Sequence, residues 1–106
     1  MEEWEFDEIT KSFVETFKSR IPKRYELGFK SVIDGGEYTM AGEGLFHTLA
    51  DDKVPVTSLE HDTLGDMLEY LRDVSTEYDT LTDKYSNLVI DDDPGLGTGR
   101  TPRPRI

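Results

Sequence analysis

The 106-residue sequence contains no cysteine. Disulfides, thiolate metal sites and a cysteine nucleophile are therefore excluded from it. There are only two histidines, His47 and His61, and neither sits in an HExxH or other tight ligand spacing. No apolar run approaches the ~20 residues that a membrane-spanning helix needs. The opening Met1-Glu2-Glu3-Trp4-Glu5 is acidic where a secretion signal is basic and then apolar, so a cytoplasmic protein is expected. Cations are also scarce. Twelve lysines and arginines face 23 acids, a formal net charge of −11. Nucleic-acid binding, which relies on a basic patch, is disfavoured by that balance.

The charge is not spread evenly. Sixteen acids lie between Asp34 and Asp93, opposed only by Lys53, Arg72 and Lys84, so this segment carries −13. Residues 1–33 hold seven acids and six bases, and the last thirteen residues hold only Arg100, Arg103 and Arg105. A local negative potential of this kind repels nucleic acid and acidic membranes and attracts basic protein surfaces.

The length fits one domain with a modest core and a net stability of ~5–10 kcal/mol. Phe6, Ile9, Phe13 and Phe17, with Val14 beside them, recur at steps of three and four and predict a first helix ended by Pro22. Tyr25, Phe29, Val32 and Ile33 predict a second, closed at Gly35-Gly36. Tyr38, Ala41, Gly42, Leu45, Phe46 and Leu49 predict a third, stopping at Asp51-Asp52-Lys53 before an extended Val54-Pro55-Val56. Thr57-Ser58-Leu59-Glu60 has the form of a capping box. From there Leu64, Met67, Leu71, Val74, Tyr78, Leu81, Tyr85 and Leu88 follow heptad spacing. This is either one long helix or two, since Ser75, Thr76, Thr80, Thr82 and Asp83 are poor helix formers. No sustained period of two appears, so little or no sheet is expected. The prediction is an all-α fold, a small bundle of four to five helices over residues 1–93. A disordered tail rich in glycine, proline and arginine is expected over 94–106.

Asp62, Asp66, Glu69 and Asp73 follow at steps of four, three and four, which aligns them as one stripe opposite Leu64, Met67, Leu68 and Leu71. Like charges at that spacing cost an isolated helix ~0.2–0.5 kcal/mol per pair. The stripe is either a solvated face or a docking surface for a basic partner, with Asp51, Asp52 and Glu60 as its rim. No carboxylate pair stands out for acid–base chemistry, which requires burial to separate two pKa values. Asp91-Asp92-Asp93 lacks the ligand spacing of an EF-hand. Gly95-Leu96-Gly97-Thr98-Gly99 lacks the preceding strand and following helix of a phosphate loop. No catalytic residue, metal ligand or cofactor is expected. Trp4, Phe6, Phe13 and Phe17 are read either as core or as the lining of a ligand pocket. Gly42 on the apolar face suggests a close helix approach, whereas Gly44 has no explanation in the sequence. The arginines of the tail serve either solubility or contact with the acidic stripe.

Ser58-Leu59 resembles the modified serine of acyl carrier proteins, although Thr57 stands where those have aspartate. A helix N-cap explains the same residues without chemistry. A second resemblance covers residues 25–72. Gly36-Glu37-Tyr38, followed by Ala41, Glu43 and Leu45, then Leu49, Val54-Pro55-Val56-Thr57 and the Leu64–Leu71 helix, is similar to the small helical immunity proteins of the Maf type. These are partners of polymorphic and contact-dependent toxins. The resemblance implies a non-enzymatic cytoplasmic protein that neutralises one cognate toxin domain by binding it. The acidic stripe suits a nuclease, whose cleft is basic because it holds phosphates. Two other functions stay open: a carrier domain modified at Ser58, and an acidic DNA-mimic or adaptor protein.

Overall fold

The computed structural model describes residues 1–92. The tail expected over 94–106, with its arginines and glycine-rich stretch, lies outside the described residues. Five α-helices are present among those described: α1 (Glu3–Phe17), α2 (Glu26–Asp34), α3 (Tyr38–Asp51), α4 (Ser58–Val74) and α5 (Leu81–Ser86). Two-residue strands β1 (Pro55–Val56) and β2 (Val89–Ile90) pair in parallel, Pro55 with Val89 and Val56 with Ile90. The architecture is all-α with a minimal strand pair.

Helix α3 is the centre of the fold. Ala41, Gly42, Leu45, Phe46, Thr48, Leu49 and Ala50 are all buried on it. Helices α1 and α2 both pack on α3, and α5 closes it from the other side. Gly42 and Gly44 are explained by the rings that press on this helix. A Cβ at Gly42 would lie 2.9 Å from the Phe6 ring of α1, and one at Gly44 would lie 3.3 Å from the Phe29 ring of α2. The absence of side chains lets two aromatic rings approach the α3 backbone.

Helix α1 ends at Phe17, five residues before the proline expected to stop it. The chain turns there because Arg20 and Ile21 both donate from their backbone N–H to the Phe17 carbonyl, at 2.8 and 3.0 Å. The turn places Ile21 in the core. Of the four aromatics considered as a pocket lining, Phe6 and Phe17 are fully buried and Phe13 packs against the core, whereas Trp4 is 66% exposed. The three phenylalanines belong to the core and Trp4 to the surface. Helix α2 closes as expected at Gly36, whose φ of +75° is open to glycine without steric cost, and the Glu37 N–H reaches the Val32 carbonyl at 2.8 Å. Helix α3 closes in a similar way through Lys53, a non-glycine residue with φ of 54°.

The capping box forms. Thr57 Oγ1 accepts the Glu60 N–H at 3.0 Å, and Glu60 Oε1 accepts the Thr57 N–H at 2.8 Å. Leu64, Met67, Leu68 and Leu71 then bury the inner face of α4. The choice between one long helix and two is resolved at Ser75, which is extended (φ −160°, ψ 142°) and whose Oγ accepts the Glu77 N–H. A 3₁₀ segment, Thr76–Thr80, leads into α5. The heptad series fails at Val74, which is 52% exposed, and resumes with buried Tyr78 and Leu81. A parallel strand pair requires a crossover, and α4 and α5 supply it. Asp91 donates its N–H to the Val56 carbonyl at 2.8 Å, so the chain returns to the start of α4.

Candidate functional site

Asp62, Asp66, Glu69 and Asp73 are all exposed on the outer face of α4. The capping box fixes where this helix starts, and its buried leucines fix its rotation, so the stripe must face outward. Among the described residues no cation pairs with any of the four. Three of them, Asp66, Glu69 and Asp73, line a groove of about 530 Å³ between α4 and α1. Its other walls are Met1, Glu5, Ile9, Thr63 and Tyr70. No lysine or arginine lines it. The floor is partly apolar, so the groove offers both negative charge and a surface that can be desiccated by contact.

The first turns of α1 deepen the negative field. The Tyr70 phenol is pushed above its usual pKa by burial and then by Glu3 and Asp7. Asp7 is raised by burial and by Glu3 and Glu8. On the far side of the stripe, the Tyr85 phenol is raised by burial and by Asp62 and Asp66. Tyr85 stacks on the His61 ring at 4.3 Å, and its hydroxyl lies 3.1 Å from the His61 carbonyl and 3.2 Å from His61 Nδ1. The stripe thus runs between two tyrosines whose protonated forms are favoured, Tyr70 by burial and the acids of α1, and Tyr85 by burial and the stripe's own Asp62 and Asp66. Sequence reasoning missed the α1 contribution. The signal was present in Glu2, Glu3, Glu5 and Asp7, but only packing shows that this end of α1 lies beside α4.

The three rim residues behave differently. Asp51 accepts from Lys84 Nζ at 2.6 Å, and this bond holds its carboxyl below the usual value. Asp52 lies 3.7 Å from Arg24. Burial pushes Glu60 up, but the bonds from Arg20 and the Thr57 amide outweigh it and hold the carboxyl below its ordinary range. The charge of each is therefore matched by a cation of the same chain, while the stripe is unmatched.

Ser58 is exposed at the start of α4, and Asp92 engages it twice: Oδ1 accepts the Ser58 N–H at 2.7 Å and Oδ2 accepts the hydroxyl at 3.0 Å. The residues of the immunity-like pattern have local roles here. Gly36 closes α2, Glu37 precedes α3, Ala41 and Leu45 are core, Tyr38 packs against the core, and Glu43 lies 3.9 Å from His47. A second depression of about 360 Å³ lies between α1 and α2, floored by Val14, Ile21, Phe29 and Ile33 and rimmed by both lysines and acids. Among the described residues no group of three or more His, Asp or Glu side chains is placed to hold a metal ion, and no helix is long and apolar enough to cross a membrane. Comparison with protein-family models, with curated proteins and with solved structures finds no match.

Proposed function

We propose that this protein is an immunity protein that binds a cognate bacterial toxin domain, most simply a nuclease, and neutralises it stoichiometrically. The observation that carries this reading is the unpaired stripe Asp62, Asp66, Glu69 and Asp73, continuous with Glu5 across the α1–α4 groove. Asp34, Asp51 and Asp79 have cationic partners within the chain, whereas the four carboxylates of the stripe have none among the described residues. Exposed carboxylates left without such partners are available to lysines and arginines of another molecule. Charge complementarity then steers association and selects against partners of the wrong sign. The similarity of residues 25–72 to Maf-type immunity proteins supports the same reading and narrows the basic partner to a toxin.

Inhibition by occupancy is the mechanism that the exposed carboxylates support. The stripe stands in for phosphates, and Tyr70, Ile9 and Met1 supply apolar contact beneath it. Asp66→Lys combined with Glu69→Lys tests this directly. Both side chains are exposed, so the helix content by circular dichroism should be unchanged, while protection against a cognate toxin domain should fall at least tenfold. Full protection by the double variant refutes electrostatic docking at the stripe.

A further inference from the structure

Helices α1 and α2 both rest on α3 but scarcely touch each other. The cleft of about 360 Å³ between them is floored by Val14, Ile21, Phe29 and Ile33. A depression of that size over apolar side chains is in the range of a binding site. Its rims are charged in a particular order. Lys11, Glu15 and Lys18 edge it along α1, and Glu26, Lys30 and Asp34 edge it along α2. One rim reads plus, minus, plus and the other minus, plus, minus. At ~1.5 Å per residue the two rims span about 10 and 12 Å.

The chain uses little of this match itself. Across the cleft, Lys18 Nζ lies 3.8 Å from Glu26 Oε1, beside the turn that joins the two helices. Further out, Lys11 pairs with Glu8 of its own helix and Lys30 with Asp34 of its own helix. Glu15 pairs with no cation among the described residues. Both orders read the same in either direction. A second copy, turned by a two-fold axis through the middle of the cleft, therefore sets its α1 rim against this copy's α2 rim with every position matched. Lys11 meets Glu26, Glu15 meets Lys30 and Lys18 meets Asp34, and the axis repeats the three contacts on the other side. A two-fold interface requires self-complementarity of this kind.

Net charge also selects this face. The six rim residues sum to zero on a chain of −11, so two copies meet here without bringing like charges together. At the α4–α1 groove they would set carboxylate against carboxylate. Apolar surface left in solvent continues both rims. Trp4, 66% exposed, stands seven residues before Lys11, and Leu27, 79% exposed, stands seven before Asp34, so each shares the helix face of a rim residue. Tryptophan is enriched among the residues that anchor protein interfaces. We infer that the chain pairs with a second copy of itself through the α1–α2 cleft, as a two-fold dimer whose register is set by the alternating rims. Glu5 and Ile9 wall the α4–α1 groove, whereas Val14 and Lys18 line the cleft, so different residues of α1 serve the two. The pairing does not depend on what the acidic stripe binds, and its test uses the chain alone.

Sedimentation velocity of the full chain, from about 1 to about 500 µM in about 0.15 M salt, where repulsion beyond ~8 Å is screened, should show a rising dimer fraction. Glu15→Lys alone and Lys30→Glu alone each place like charges at two contacts of the dimer. Each should weaken association about tenfold, on the scale of exposed ion pairs. An equimolar mixture of the two variants should recover the parent's association. In the mixed dimer the two reversed charges face each other at one contact and the two original charges at the other. Pairing within one chain cannot produce that recovery, and a variant that failed to fold could not take part in it. A chain that stays monomeric throughout leaves the cleft to another occupant and overturns the inference. So does a dimer that either single reversal leaves intact, or a mixture no more associated than its components when both are folded by circular dichroism.

Discussion

Arg20 and Glu60, forty residues apart in sequence, form a two-pronged pair with both side chains mostly buried, at 18% and 15% exposure. The Arg20 nitrogens donate to the two Glu60 oxygens at 2.8 and 2.9 Å, and one also donates to the Pro55 carbonyl at 3.2 Å. The same carboxylate completes the cap of α4 through the Thr57 N–H. One guanidinium therefore ties the turn after α1 to β1 and to the start of the helix that presents the stripe. Arg20→Ala leaves Glu60 without its charge partner. It should lower stability by about 2–3 kcal/mol, as expected for breaking a largely buried charged hydrogen-bond pair. Chemical denaturation measures this. A change below 0.5 kcal/mol would show that the pair is only decorative.

The pair also sets a pH dependence. Glu60 is held below its ordinary value of 4.5. A lowered carboxylate binds fewer protons when folded than when unfolded. Its contribution is complete above the unfolded value and is lost as pH falls through the folded one. Glu60→Gln should therefore melt at a lower temperature than the parent chain at pH 7, and the gap should narrow as pH drops below about 4.5. Thermal melts from pH 7 to pH 3 follow the gap. A gap of constant width assigns the loss to packing instead. Asp7 works in the opposite sense, since its raised pKa makes its charge unfavourable at neutral pH. Asp7→Asn should stabilise at pH 7 and become neutral in effect at low pH.

Two glycines give opposite predictions. At Gly42 a methyl group would lie 2.9 Å from Phe6 Cζ and 3.8 Å from a Leu71 methyl. Gly42→Ala adds about 1 kcal/mol of helix propensity but overpacks the contact of α1 with α3, which costs about 1–3 kcal/mol. The Phe6 ring is itself stacked on Tyr70 at 4.5 Å, so it has little room to move. A net loss of stability is expected. At Gly28 in α2 nothing lies within 4 Å of the same methyl, and Gly28→Ala should stabilise by up to about 1 kcal/mol. Paired denaturation curves check both. If the two alanines act alike, the close approach of Phe6 is not limiting.

The helices were legible because their signals are local. Steps of three and four located the core faces of α1, α3 and α4, and the capping box at Thr57 marked the start of α4. The break at Ser75 was legible only as a weakness, because poor propensity does not say where a chain will turn. The strand pair was not legible. Two residues show no alternation, and Pro55 pairs with Val89 across the whole α4–α5 crossover. The same distance effect governs the site. The stripe was visible as a spacing on α4, but its partner wall, Glu5 and Ile9, comes from α1. The internal pairing of Asp51, Asp52 and Glu60 with Lys84, Arg24 and Arg20 depends on contacts that no local pattern encodes.

The stripe should carry a stability cost of its own. Asp62 with Asp66, Asp66 with Glu69, and Glu69 with Asp73 are neighbours on one helical face. Each such pair of like charges costs about 0.2–0.5 kcal/mol. Replacing all four with Asn and Gln removes these repulsions and those from Glu5 in the groove, so the gain should approach 1 kcal/mol at low ionic strength. In about 1 M salt the screening length shrinks to ~3 Å and the gain should largely vanish. If the neutral variant is more stable yet no longer protects against the toxin, the exposed charges serve binding at the expense of folding. If it is no more stable at low salt, the four carboxylates are too well solvated to repel one another, and their unpaired state loses its force as a mark of function.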